Sequence, residues 1–217
     1  MIEKFKNVKV LIWDVDGTFY KLIENYRQRI IENVFQVIMD HTGWTPKKTA
    51  QEFYKIYPKK YSSGTKAAAV LSKISVVEAA NECAKYDSVE DYLKSDPKIV
   101  DLFSQLAKYQ HFILMNGTVG RAKKIIKITG LNANIFTEIV TSEKVGVNKP
   151  ELKGFQYILN KTQLSADEHL MIGDREEVDL VPAKKLGMKT CLVYSNKKSN
   201  IADMVLPDIY KLTDYLL

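Results

Sequence analysis

A chain of 217 residues with 46% hydrophobic residues and a formal net charge of +6 is long enough for one packed domain, or for one domain carrying an insertion. The lysines are scattered along the chain and no base-stacking or groove-reading motif accompanies them, which argues against nucleic acid as a partner. The two cysteines, Cys83 and Cys191, lack C-x-x-C spacing and read as structural thiols of a reducing compartment; with no apolar run of membrane-spanning length and no leader before the first strand, a cytoplasmic protein with no membrane partner is expected.

In chain order, Val10, Leu11, Ile12 and Trp13 form a short apolar run that predicts a buried strand. Residues 21–110 then read as helical throughout. Tyr26, Ile30, Val34 and Ile38 keep an apolar stripe, Gly43 supplies a stop, and Thr45-Pro46 opens the next helix as N-cap and first helical residue. A basic turn, Lys59 to Gly64, interrupts the block, and Asp96-Pro97 starts a further helix ending near Tyr109. From His111 the character changes. Strands are expected at 111–115, 138–141, 169–172, 189–194 and 204–206, with helices at 121–129, 152–160 and 181–186 and a terminal helix from Asp208. Strands alternating with helices, after a lone first strand and a helical block, predict an α/β fold with a Rossmann-like parallel sheet and an inserted α-helical cap domain. The expected division is 1–18 and 111–217 for the core and 19–110 for the cap.

In such a sheet, ligands bind outside the carboxyl ends of the strands. Three strands end in polar signatures: Asp14-Val15-Asp16-Gly17-Thr18, Asn116-Gly117-Thr118 and Gly173-Asp174; the loop carrying Lys149-Pro150 belongs to the same edge. Each piece alone is a common turn sequence, but four segments meeting at one crevice are not. Two carboxylates beside a core, Asp14 and Asp16, are costly to bury unpaired, and hard oxygen ligands of this kind suit Mg²⁺.

On these motifs the chain resembles the haloacid dehalogenase-like hydrolase superfamily: D-x-D-G-T at 14–18, Lys149-Pro150 as the third motif, and G-D-x-x-x-x-D at Gly173, Asp174 and Asp179. Within it, the cap and the D-x-D-G-T-F-Y start are similar to the pyrimidine 5′-nucleotidase-like branch. The resemblance implies a catalytic set of Asp14 as nucleophile, Asp16 as general acid and base, and Lys149 as the neutralising cation. It implies Mg²⁺ held by Asp14, Asp174 and the backbone carbonyl of Asp16, with Asp179 in support, and a phosphate-binding set of Asn116, Gly117, Thr118 and Lys149. An acid two residues after the nucleophile implies phosphate monoester hydrolysis on a small phosphorylated metabolite or nucleoside monophosphate, by a monomer or homodimer. A phosphomutase, or a catalytically weakened binding or regulatory protein on the same scaffold, are the alternatives. One departure stands out: Met115 occupies the position where the family carries Ser or Thr. A thioether donates no hydrogen bond, so either Thr118 supplies the hydroxyl or the site forgoes about 2–4 kcal/mol of transition-state stabilisation.

Elsewhere the bland readings are the better ones. His41, His111 and His169 have no metal-ligand spacing and read as structural. Phe53, Tyr54, Tyr57 and Tyr61 read as core aromatics of the cap, and Glu176 and Glu177 as first-turn helix charges. If one cap stretch selects substrate, it is 57–63, with Lys59 or Lys60 meeting an anion.

Overall fold

The computed structural model describes residues 3–217. Its strands are β1 (Val10–Trp13), β2 (Gln110–Leu114), β3 (Phe136–Val140), β4 (His169–Gly173), β5 (Lys189–Leu192) and β6 (Met204–Val205). They form one parallel sheet in the order β3-β2-β1-β4-β5-β6. The chain therefore runs outward from β1 to β3, then returns to lay β4 on the other side of β1. That reversal leaves a crevice at the carboxyl ends of β1 and β4. Trp13 pairs with both Ile113 and Ile172, so the three central strands end in step and present their following residues at one edge.

Four helices follow β1: α1 (Glu24–Thr42), α2 (Pro46–Ile56), α3 (Gly64–Ser72) and α4 (Val76–Lys85). Local chemistry sets their ends. Gly43 closes α1 at φ 66, a left-handed conformation that glycine adopts without a Cβ clash. The side chains of Thr45, Ser63 and Ser75 accept the free N–H groups that open α2, α3 and α4. Further on come α5 (Pro97–Gln105), α6 (Val119–Thr129), α7 (Ser142–Val145), α8 (Lys153–Thr162), α9 (Val181–Lys185) and α10 (Thr213–Leu216). The terminal helix expected from Asp208 is shorter. The Asp208 carboxylate accepts from Tyr210 and Lys211 and caps a 3₁₀ turn, Ile209–Leu212, which leaves only α10 in α form.

The buried apolar residues fall into three clusters. Leu11 and Trp13 point to one face of the sheet and Val10 and Ile12 to the other, so β1 is covered on both sides. The third cluster, with Val34, Ile38, Phe53 and Ala67–Ala69, lies within α1–α4. Residues 89–106, assigned with the helical block by the expected division, contribute Val89, Ile99, Leu102, Phe103 and Leu106 to the sheet cluster, as do Phe19 and Tyr26. Trp13 is fully buried, 4.8 Å from the Phe103 ring, and its Nε1–H donates to His111 Nδ1 at 3.1 Å. Truncating it to Ala would cost about 3–5 kcal/mol. That bond leaves His111 Nε2 to donate to Leu106 O, a structural role.

Candidate active site

Asp14 follows β1 directly. Its N–H donates to Ile172 O at 3.0 Å, so one more rung of the ladder holds it between β2 and β4. The chain then turns sharply. Gly17 has φ +84, and a Cβ there would lie 2.4 Å from Asp174 Oδ2; both facts require glycine. Asp174 follows β4 and leads into a π-helical turn, Glu176–Leu180. This wide turn brings Asp179 back against Gly173, where a Cβ would again collide, at 2.6 Å.

Carboxylate oxygens of Asp14, Asp174 and Asp179 thus lie within 4.8 Å of one another. Lys149 is buried among them, its Nζ donating to Asp14 Oδ1 at 2.7 Å and to Asp179 Oδ1 at 2.6 Å. Burial works against its charge, but the two carboxylates outweigh that and push its pKa up. One ammonium does not balance three carboxylates. Burial, then repulsion from neighbouring carboxylates, outweighs Lys149 and the nearby Arg175 and pushes Asp14 up to about 6 and Asp174 up to about 7. Asp174 Oδ1 is buried with no hydrogen-bond partner. An orphaned carboxylate oxygen, a surplus of negative charge and an all-oxygen donor set fit a hard divalent cation.

Asp16 lies in different surroundings. Its carboxylate accepts both guanidinium nitrogens of Arg121, Nη2 at 2.9 Å, and also the Tyr20 hydroxyl. Arg121 Nη2 further donates to Tyr26 Oη at 2.8 Å, and its Nε lies 3.3 Å from Asp87 Oδ1. Burial tends to raise the Asp16 pKa, but Arg121 and then Tyr20 outweigh it and hold the group below the usual carboxylate range.

Asn116 is bound reciprocally to the Lys149 backbone, donating to its carbonyl at 2.9 Å and accepting its N–H at 2.7 Å, which fixes the lysine loop. The N–H groups of Asn116 and Gly117 donate to no acceptor among the described residues and remain free for an anion. Thr118 does not join them. It is buried as the N-cap of α6, its hydroxyl accepting the Arg121 N–H at 3.1 Å. The hydroxyl facing the cluster is that of Thr18, 3.4 Å from Asp14 Oδ2.

Two small cavities, of about 120 and 70 Å³, touch Asp16 and Asn116 where the helical block meets the sheet edge; the larger also touches Asp174 and Arg175. Two bonds cross that junction: Arg175 Nη1 donates to Ser62 O at 3.2 Å, and Asn148 Nδ2 to Ser63 Oγ at 3.1 Å. Tyr57, expected in the cap core, lines the larger of the two cavities, whereas Phe53 is fully buried. Arg121, Asp87, Tyr20 and Tyr26 were not anticipated. The one local signal was that Arg121 lies in the first turn of the helix leaving the Asn-Gly-Thr edge.

The model of the haloacid dehalogenase-like hydrolase family matches residues 11–193. A glyceraldehyde 3-phosphate phosphatase of Methanocaldococcus jannaschii is 36% identical over 86 residues, 40% of this chain and 37% of that protein. That of Methanopyrus kandleri is 28% identical over 204 residues, 88% of this chain and 85% of that one. In fold, the chain is similar to a haloacid dehalogenase-like phosphatase of Thermococcus onnurineus (TM-score 0.67, 21% identity, 96% of this chain and 98% of that one). It is also similar to the magnesium-bound hydrolase YfnB of Bacillus subtilis (TM-score 0.64, 20% identity, 97% and 99%). Among the described residues no helix is long and apolar enough to cross a membrane. With the family model running from the first strand through the fifth, across the motif-bearing edge and the inserted helices, this chain belongs to the haloacid dehalogenase-like hydrolases.

Proposed function

We propose that the protein is a Mg²⁺-dependent phosphate monoester hydrolase that acts through an aspartyl-phosphate on a small phosphorylated metabolite. The observation that carries this reading is the cluster of three carboxylates and one lysine at the sheet crevice, with the free N–H groups of Asn116 and Gly117 on the loop bound to the Lys149 backbone.

In this reading Asp14 Oδ2, free of Lys149, attacks phosphorus. A bond forms between that oxygen and phosphorus as the bond to the leaving oxygen breaks, and the leaving oxygen takes a proton from Asp16. Asp16 then removes a proton from water, whose oxygen attacks phosphorus and restores the Asp14 carboxylate. Lys149 holds Asp14 Oδ1 and keeps the other oxygen aimed, and the Asn116 and Gly117 N–H groups receive phosphoryl oxygens. Asp14, Asp174 and the Asp16 carbonyl would hold Mg²⁺, with Asp179 positioning Lys149. Bound there, the ion offsets the repulsion between a carboxylate nucleophile and an anionic phosphate. In the present conformation Asp16 is ionised and bound to Arg121, ready to accept a proton; donating one requires the carboxylate to loosen from Arg121.

The relatives matched over most of the chain are named for a three-carbon phosphate, and an inner cavity of about 120 Å³ suits a phosphoryl group on a short carbon chain. That supports a small sugar or polyol phosphate over the nucleotide that a pyrimidine 5′-nucleotidase would take. The test is phosphate release from p-nitrophenyl phosphate, with Mg²⁺ and with chelator, for the wild type and Asp14→Asn. The reading expects turnover that needs Mg²⁺ and falls by at least about 10³-fold in the variant. Turnover that survives in Asp14→Asn would contradict it.

A further inference from the structure

Beside the acidic cluster a much larger cleft, about 1050 Å³, opens between the turn after α2 and the ends of β4 and β5. Arg175 and Tyr57 line both this cleft and the 120 Å³ inner cavity, forming the wall between them. Four cations border the cleft: Arg175, Lys59 and Lys60 from the turn, and Lys197 from the loop after β5. Among the described residues none of the four has a carboxylate within 4 Å, although the chain contains many such pairs elsewhere. Arg175 is the most telling. A guanidinium carries five N–H donors, and the protein takes only one hydrogen bond from this one, at Ser62 O. A sheltered guanidinium with unspent donors is unfavourable unless a ligand completes it. The acidic residues Glu176 and Glu177 lie on the same rim, on the Arg175 side. Asp174 also borders it on that side, whereas the turn carrying Lys59 and Lys60 and the loop carrying Lys197 contribute no acidic residue to the lining.

We propose that this cleft is a second anion site, so that the substrate carries, besides the phosphoryl group to be removed, another anionic group on the far end of its carbon chain. Arg175 contacts the chain where it passes the wall, and Lys59, Lys60 and Lys197 receive the distal anion. A cleft of about 1050 Å³ suits a sugar-sized bis-anion better than a compact one. A carboxylate and a second phosphate offer the same chemistry here. This rests on the phosphatase reading for what happens in the inner cavity, but the site itself is detectable without turnover.

The experiment is calorimetric titration of Mg²⁺-loaded Asp14→Asn, which cannot complete the reaction. Two ligand pairs are used: fructose 6-phosphate against fructose 1,6-bisphosphate, and glucose 6-phosphate against 6-phosphogluconate. The bis-anion is expected to bind at least about tenfold more tightly in one or both pairs, as several weak ion contacts would add. The pair that shows it identifies the second group as phosphate or carboxylate. The preference should shrink as salt rises and collapse towards unity when Lys59→Gln, Lys60→Gln and Lys197→Gln are combined. Equal binding of both members in both pairs, or a preference unchanged in the triple variant, overturns the proposal. A wild type inactive on p-nitrophenyl phosphate would contradict the phosphatase reading without altering what these titrations decide.

Discussion

Two buried charge clusters flank Gly17, built from nearly the same materials with opposite balance. On one side Asp14, Asp174 and Asp179 share a single lysine, an oxygen of Asp174 is left without a partner, and two carboxylates are pushed towards neutrality. On the other, Asp16 and Asp87 share one arginine, two tyrosine hydroxyls complete the network, and the Asp16 pKa is pulled down. The second cluster is satisfied by the protein alone. The first is short of positive charge, and that deficit is what suits it to the cation and phosphoryl chemistry we propose, because a fully paired carboxylate neither binds a metal nor attacks phosphorus. The two chain crossings into and out of the helical block also differ from the cluster they flank: Tyr20 and Tyr26 lie on one, Asp87 on the other, and both end on Arg121. The position of Asp16 is thereby tied to the position of the helices above it.

The comparison breaks most sharply at Lys149. In metal-free protein Lys149→Met leaves the buried carboxylates of Asp14 and Asp179 without their ion-pair partner and should destabilise by about 3–5 kcal/mol, measured by urea unfolding; a loss below about 1 kcal/mol would mean that the lysine is not the counter-ion the geometry makes it. Saturating Mg²⁺ comes next. At about one hundred times its dissociation constant it should add roughly 2.7 kcal/mol, raising the thermal midpoint by about 5–10 °C, and Asp174→Asn should lose most of that rise while Asp87→Asn keeps it.

The pH dependence follows with a definite sign. Asp14 and Asp174 hold protons in the folded, metal-free protein at pH values where the unfolded chain, titrating near the ordinary value of 3.8, has released them. Their contribution to stability is therefore greatest below about pH 4 and declines as pH rises to about 7, each unit of displacement corresponding to about 1.4 kcal/mol. The difference in unfolding free energy between wild type and Asp174→Asn, in chelator, should become less favourable to the wild type across that range; a difference that is flat in pH would refute the assignment. The smallest effect concerns Arg121. Arg121→Gln releases Asp16 to hold a proton, so it should shift the ratio of kcat/KM for an alkyl phosphate to that for dinitrophenyl phosphate, whose leaving group needs no proton, roughly tenfold towards the alkyl ester; equal changes on both would make Arg121 purely structural.

The sheet edge was legible because its signals are local. A β-branched run ends in carboxylates at β1, Asp96-Pro97 opens a helix, and Gly43 ends one; each is set by a few adjacent residues and needs no knowledge of distant neighbours. The placement of α5 was not legible. Periodicity shows that Ile99, Leu102, Phe103 and Leu106 share a face but not which partner the face meets, and the sheet takes it. Arg121 lies 105 residues from Asp16, and nothing near either residue announces the pair. Thr118 shows a second demand the motif does not announce: the helix it precedes needs a cap, and its hydroxyl accepts the Arg121 N–H at the α6 N-terminus. The meaning of Arg175 depends on a turn, 57–62, that meets it from the helical block and lies far from it in sequence.

The central claim is that the carboxylate-rich cluster, and not the arginine-paired one, captures a phosphoryl group on Asp14 with a divalent cation beside it. The most direct measurement is fluorine NMR of the protein titrated with beryllium fluoride, a mimic of the phosphoryl group on a carboxylate. Bound fluoride resonances are predicted in the wild type only when Mg²⁺ is present, retained in Asp16→Asn and absent in Asp14→Asn. Bound resonances in Asp14→Asn, or none in folded wild type with Mg²⁺, would contradict the account.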